Sequence, residues 1–411
     1  MINFYRHQLA NGLQVLVCPD RSTPMAAVDI CYHVGAKNEH TERTGFAHLF
    51  EHLMFGGSIN IPDYDMPLQQ AGGENNAYTT NDLTNYYLTL PKENIETGFW
   101  LESDRMLELA FSQEGLNVQK SVVIEEFKQR NINQPYGDVW ALIRELAYTV
   151  HPYQWATIGK EISHIEDATL GDVKDFFFRF YTPDNAVLIA SGHVEENEIL
   201  RLSEKWFGSI PKRNINKLPL AEEPVQLEFR EKTVERNVPD TLLYLAFHMP
   251  GKLDRGYFVC DLISDVLSNG NSSRMYINLV KEKRLFIELD AYISGDHDPG
   301  LFIVSGKLSK GVSIEQARVA VWEELEKIQQ ELVTAIELEK VKNKLEANLV
   351  YGRMNYLNVA QDLAHFENLQ RAELINEQLD IYRSITSDEL RQMAQGIFRM
   401  ENCSQLNYLA K

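Results

Sequence analysis

Apolar positions along this chain follow two alternating periods, one of strands and one of helices. Asn11-Gly12 is a tight hairpin signal ahead of the apolar run 13–18. Residues 26–34 and 185–194 read as buried strands. Between them, three-to-four-residue spacing predicts helices over about 92–110, 113–131 and 136–148. Thr169 can cap a further helix running to about Phe180. A polar, Pro-containing stretch, 211–224, then breaks the pattern with Lys212, Arg213, Asn214 and Asn216, and reads as a linker.

After that stretch the order starts again. Tyr32-His33-Val34-Gly35-Ala36-Lys37 ends a strand in the first half, and Phe247-His248-Met249-Pro250-Gly251-Lys252 ends one in the second. A Gly-terminated helix follows each, near 45–55 before Gly56 and near 256–268 before Gly270. Late in each half, 165–173 (with Thr169 and Asp172) resembles 385–390 (with Thr386 and Asp388), and each leads through a helix to a final strand. The shared order predicts an α+β fold made of two related domains, 1–213 and 227–411, joined by a linker at 214–226.

Composition narrows the function. A length of 411 residues suits two domains, and 44% hydrophobic with 24% charged residues excludes wholesale disorder. Against 40 basic side chains stand 59 acidic ones, a net charge of −19 that repels phosphate backbones and argues against a nucleic-acid partner. The four cysteines are too few and too scattered for a disulfide framework or a Cys-based zinc site. No apolar stretch reaches membrane length and the N-terminus carries no apolar leader. The expectation is a cytoplasmic protein with no membrane partner, periplasmic only if a leader was removed.

Chemistry concentrates in Thr44-Gly45-Phe46-Ala47-His48-Leu49-Phe50-Glu51-His52-Leu53-Met54-Phe55-Gly56-Gly57. Thr44 is the expected N-cap and Gly56 the expected C′ residue. Phe46, Leu49, Phe50 and Leu53 form a core-facing stripe. His48 and His52, four apart, lie on one face with about 40° between them, and Glu51 lies about 60° to the other side of His48. Two imidazoles so stacked can grip one ion at about 2.0–2.1 Å per bond. A carboxylate beside them can take a proton from zinc-bound water, whose pKa the metal lowers toward neutrality. His-x-x-Glu-His on an amphipathic helix is the inverzincin signature. A catalytic zinc wants three protein ligands, so a third is expected elsewhere. The candidates are Glu125 and Glu126 on the long helix after Glu114; adjacent helical residues point about 100° apart, so one of them faces the metal, and spacing does not choose which.

These motifs, and their order along nearly the whole chain, resemble the pitrilysin or insulinase family of zinc metallopeptidases, which includes insulin-degrading enzyme and the mitochondrial processing peptidase subunits. His33-Val34-Gly35-Ala36-Lys37-Asn38-Glu39 resembles the stretch that leads into the family's metal helix. Asn76-Ala77-Tyr78-Thr79 resembles its Asn-Ala-x-Thr strand, and Val122-Val123-Ile124-Glu125-Glu126 its third-ligand helix. His151-Pro152-Tyr153 and Ser272-Ser273-Arg274-Met275-Tyr276 resemble two further blocks. The resemblance implies His48, His52 and Glu126 as ligands of one Zn2+ per chain and Glu51 as general base. The separation from His52 to Glu126, 126 − 52 = 74, is close to the family's. It also implies two related domains, each a mostly antiparallel sheet packed with helices, with no zinc motif in the second.

The strand after Asn76 alternates polar and aromatic residues, as an edge strand beside a cleft would. Such an edge can add an extended peptide through its backbone. An ordinary antiparallel strand with a polar outer face would show the same alternation; it is the resemblance that implies Asn76, Ala77, Tyr78 and Thr79 as substrate-binding residues, with Asn76 positioning the scissile carbonyl or orienting a ligand. Two departures from the family stand out. Gln119 replaces a Glu seven residues before the ligand Glu, an outer support of the metal that here carries no charge. In the second domain Arg274 is a candidate to hold substrate, but Arg284-Leu285-Phe286-Ile287 stands where the family often has Gly-Leu-Ala-Tyr. Tyr292 or a partner chain is expected to supply the missing group. Length and that missing Tyr suggest one half of a closed chamber, working as a homodimer or with a zinc-less paralogue. The expected function is zinc-dependent endopeptidase action on unfolded peptides; the alternative is a non-catalytic assembly or processing subunit of the same fold.

Overall fold

The computed structural model describes residues 1–213 and 219–411, so residues 214–218 of the expected linker lie outside the described residues. The described chain forms two compact units. Unit 1 comprises Met1–Gln129, Trp155–Leu220 and Val350–Asn376; unit 2 comprises Arg130–Gln154, Ala221–Leu349 and Glu377–Lys411.

Unit 1 holds a sheet of β1 (Tyr5–Gln8), β2 (Gln14–Pro19), β3 (Met25–Tyr32), β4 (Glu74–Thr79), β5 (Thr84–Pro91) and β6 (Ala186–Gly192) in the order β1-β2-β6-β3-β5-β4. β2 and β6 run parallel, and the other pairs are antiparallel. The expected runs at 13–18, 26–34 and 185–194 are thus β2, β3 and β6. Inward residues of alternating strands, among them Val15, Val28, Ile30, Tyr86, Leu88 and Leu188, meet helical residues such as Leu49, Phe50, Phe99 and Phe177 in one core. The expected Thr169 cap is present as a capping box with Asp172 at the head of Leu170–Phe180.

Unit 2 repeats the plan. β7 (Arg230–Arg236), β8 (Leu242–His248), β9 (Phe286–Ile293), β10 (Leu301–Leu308) and β11 (Cys403–Ala410) pair in the order β7-β11-β8-β10-β9, again with one parallel pair, β7 with β11. β11 stands to β7 and β8 as β6 stands to β2 and β3. The helix before it, Ser387–Ile397, opens on a capping box of Thr386 with Glu389, not with the Asp388 that the sequence comparison aligned. The fold is therefore α+β with a duplicated unit, as expected.

The interleaving of the units is a difference from the single boundary at 214–226. The helix Tyr356–Asn368 lies against β3 and β6 of unit 1, burying Val359, Ala360, Leu363 and Ala364. The helix Val139–Ala147 lies against β8 and β11 of unit 2, where Ile143 and Ala147 meet Leu242, Ala246 and Leu406. Each sheet thus has its second face covered by a helix from the opposite half of the sequence. Helical periodicity shows that a face is apolar and is silent about which sheet it covers. All four cysteines are buried thiols. No helix among the described residues is long and apolar enough to cross a membrane.

Candidate metal centre

The helix Phe46–Leu53 carries the first two candidate ligands. It packs through Phe46, Leu49 and Phe50, with Phe50 stacked on Phe176 and Tyr181 at ring separations of 4.8 and 5.2 Å. Its N-terminus is not capped by Thr44. Gly45 is the cap residue, with φ 89°, and a Cβ there would meet the Ile158 carbonyl oxygen at 2.8 Å. The first-turn amides are taken from outside the helix: Gly45 N–H donates to Glu39 Oε2 at 2.8 Å and Ala47 N–H to Glu39 Oε1 at 2.7 Å. Burial pushes the Glu39 carboxyl up to about 8, and the amides of Ala47 and Gly45 pull against it. Thr44 instead accepts from Lys160 N–H at 2.7 Å and meets His164 Nδ1 at 2.8 Å. The helix ends at Leu53 with Met54 as its C-cap, and the left-handed residue beyond it is Gly57 rather than Gly56.

The third candidate ligand comes from the helix Gln113–Phe127, capped by Ser112. Glu126 Oε2 lies 3.5 Å from His48 Nε2 and 3.3 Å from His52 Nε2. One ligand atom from each of the three falls within 4.8 Å of the others. A tetrahedral ion with bonds of about 2.0–2.1 Å holds neighbouring ligand atoms about 3.3 Å apart, so this His-His-Glu set fits zinc. Glu125 points elsewhere: its side chain is 61% exposed and its carboxylate pairs with Lys128 at 2.6 Å. Of the two candidates that spacing left open, Glu126 is the one whose carboxylate lies beside both imidazoles.

Glu51 lies one residue before His52, and its Oε2 accepts a hydrogen bond from Thr79 Oγ1 at 2.6 Å. Thr79 ends β4, which pairs with β5 on one side and forms the edge of the unit 1 sheet. Strand alternation divides the four expected substrate-binding residues. Ala77 and Thr79 face the helical core and Glu51. Tyr78 turns to the other face, with its ring 6.4 Å from Tyr87, and Asn76 accepts from Ala77 N–H at 2.8 Å. Gln119, two turns before Glu126, lines a cavity with Leu53, Leu109 and Leu116. Arg274 belongs to unit 2, where Glu337 takes its guanidinium at 2.8 and 3.0 Å and is itself held down at about 2. Tyr292 is on β9, its ring 6.1 Å from Trp140. Arg284, standing where the family often has Gly, has φ 53°.

Sequence reasoning missed the work of Glu39 and the contact of Thr79 with Glu51. The signal for Glu39 was its place at the end of the His33–Glu39 motif; its distance of six residues from Gly45 fits no local capping pattern.

A sequence profile described as Insulinase (Peptidase family M16) matches residues 14–159, and one described as Peptidase M16 inactive domain matches residues 167–345. The chain is 29% identical over 360 residues to the zinc protease PqqE of Helicobacter pylori, covering 86% of this chain and 80% of that one. It is 26% identical over 269 residues to the mitochondrial-processing peptidase subunit beta of Saccharomyces cerevisiae, covering 64% of this chain and 57% of that one. The crystal structure of a protease from Helicobacter pylori has the same fold, with a TM-score of 0.94 at 26% identity and 100% coverage of both chains. The first profile spans the three candidate ligands, the second begins after them, and the whole fold is shared end to end: the chain belongs to the insulinase (M16) family of peptidases.

Proposed function

We propose that this protein is a zinc-dependent endopeptidase that cleaves unfolded peptides, with Glu51 as general base and one zinc per chain. The convergence of His48, His52 and Glu126 beside an anchored Glu51 carries the reading. When bound, zinc supplies Lewis acidity toward the peptide carbonyl and the attacking water. The residues that would hold it are His48, His52 and Glu126, whose Nε2, Nε2 and Oε2 atoms converge. Glu51 receives the proton of the attacking water on its carboxylate and can return it to the leaving amine. The edge of β4 holds the substrate backbone in extended form, which selects unfolded chain over folded protein. The name zinc protease carried by the Helicobacter relative supports the metal and the reaction class.

Glu51→Gln keeps the shape of the side chain and removes the base. It is expected to retain full zinc content and lose about a hundred- to ten-thousand-fold in kcat on a peptide mixture read by mass spectrometry. Undiminished cleavage by this variant overturns the assignment.

We also infer that the chain works as a pair, with a second copy or with a zinc-less paralogue. Ile287 stands where the resemblance expects a Tyr, and Glu337 engages Arg274, which supports a second chain as the source of the group that holds the substrate, with Tyr292 of the same chain as the other candidate. The yeast relative is itself named as a subunit. Light scattering of the active protein is expected to give at least twice the chain mass of 47.3 kDa; a monomer with full activity excludes pairing.

A further inference from the structure

We propose that Thr79 is the positioning residue for Glu51, held in place by a brace built from residues 33–39. The inference rests on the peptidase reading above and assigns to Thr79 a role other than contact with substrate.

A glutamate on a helix surface has three rotatable side-chain bonds, and ordering it costs side-chain entropy. The hydroxyl of Thr79 donates to the Glu51 carboxylate at 2.6 Å, the short distance of a bond to a charged acceptor. That bond works only if Thr79 and the helix Phe46–Leu53 keep a fixed separation. Both are tied to the same loop.

On the strand side, β4 ends at Thr79, opposite Thr84, and the chain turns through Thr80–Leu83. Thr80 N–H donates to the Leu83 carbonyl at 2.8 Å, and the Thr80 hydroxyl accepts from Asp82 and Leu83 N–H, both at 3.1 Å. Residues 36 and 37 grip this turn: Ala36 N–H donates to the Thr80 carbonyl at 3.1 Å and Lys37 N–H to the Asn81 carbonyl at 2.9 Å. Lys37 Nζ pairs with Asp82 Oδ1 at 2.7 Å, with side chains 15% and 4% exposed. Gly35 permits the approach, since a Cβ there would meet the Asn81 carbonyl oxygen at 2.5 Å. On the helix side, Glu39 binds the amides of Gly45 and Ala47. Seven consecutive residues thus join the strand that bears the peptide to the helix that bears the base. The Thr79 hydroxyl closes that circuit at the reacting group.

A residue that orients the base acts on the chemical step and leaves substrate binding alone. Thr79→Val keeps the shape and removes the donor; Thr79→Ser keeps the donor. With zinc-loaded full chain and a quenched fluorescent peptide, the Val variant is expected to lose about 10- to 100-fold in kcat. Its KM and zinc content should stay unchanged, and the Ser variant should return to within about threefold of wild type. Wild-type kcat in the Val variant, or a loss confined to KM, overturns the proposal. A second arm needs no turnover. In crystal structures, Glu51 is expected in one conformation in wild type and Thr79→Ser, and displaced or split in Thr79→Val. An unmoved Glu51 in Thr79→Val overturns the proposal whether or not the protein cleaves peptides. Wild-type protein that cleaves nothing overturns the peptidase reading, and the crystal arm still decides the role of Thr79. If Thr79→Val fails to fold, Asp82→Asn, which loosens the brace, is expected to split Glu51 in the same way; an unmoved Glu51 there overturns the brace.

Discussion

Glu125 and Glu126 are adjacent on one helix, and their surroundings separate them. Glu126 meets both imidazoles, while Glu125 pairs with Lys128 in solvent. Glu126→Ala is expected to strip the zinc, read as metal per chain by mass spectrometry. Glu125→Ala should keep it and change stability by less than about 1 kcal/mol, since it loses only an exposed ion pair. His48, Glu51 and His52 were legible in the sequence because i, i+3 and i+4 relations survive any tertiary context. The contact between Thr79 and Glu51 was not, because it depends on where a strand end meets a helix. A second residue-scale expectation concerns Asp29, fully buried on β3. Burial pushes its carboxyl up to about 7, a neighbouring Glu102 adds to the shift, and the Asn85 amide, 3.0 Å away, opposes it. Its folded value lies above the unfolded one of about 3.9, so between about pH 4 and pH 7 the folded state binds more protons. Stability should therefore fall as pH rises through that window, by at most about 1.4 kcal/mol per pH unit from this group. Asp29→Asn should remove its share of the slope in urea unfolding measured at pH 5 and pH 8.

At the scale of elements, the helices and strands follow the apolar periods, and their ends do not. The helix Phe46–Leu53 was legible as a helix, but its cap was read as Thr44, the local choice. The actual partner of its first amides, Glu39, lies outside any short capping motif and reaches them because the loop folds back. Glu39→Ala leaves these buried amides unsatisfied. It is expected to cost about 1–3 kcal/mol in urea unfolding and to weaken zinc retention against a chelator, because the ligand helix loses its anchor. The helical pattern read over 113–131 likewise ends earlier in regular form. After Phe127 the chain passes into a π-helical stretch, Lys128–Ile132, which widens the turn without changing the apolar pattern and so leaves no mark in the sequence.

At the scale of the whole molecule, the duplication was legible from the order of strands, helices and capping residues alone. The parallel pairings of β2 with β6 and of β7 with β11 bear it out. What periodicity could not carry was the exchange of helices between the halves. β1 to β6 are complete in the chain by Gly192, yet the helix that covers their second face does not begin until Tyr356. On a ribosome adding roughly 5–20 residues each second, this sheet waits on the order of ten seconds for its cover. A chain cut short before that helix carries His48, His52 and Glu126 and still lacks the cover on the second face of the sheet. Synthesis itself thus leaves the second face of this sheet open until the molecule is nearly whole.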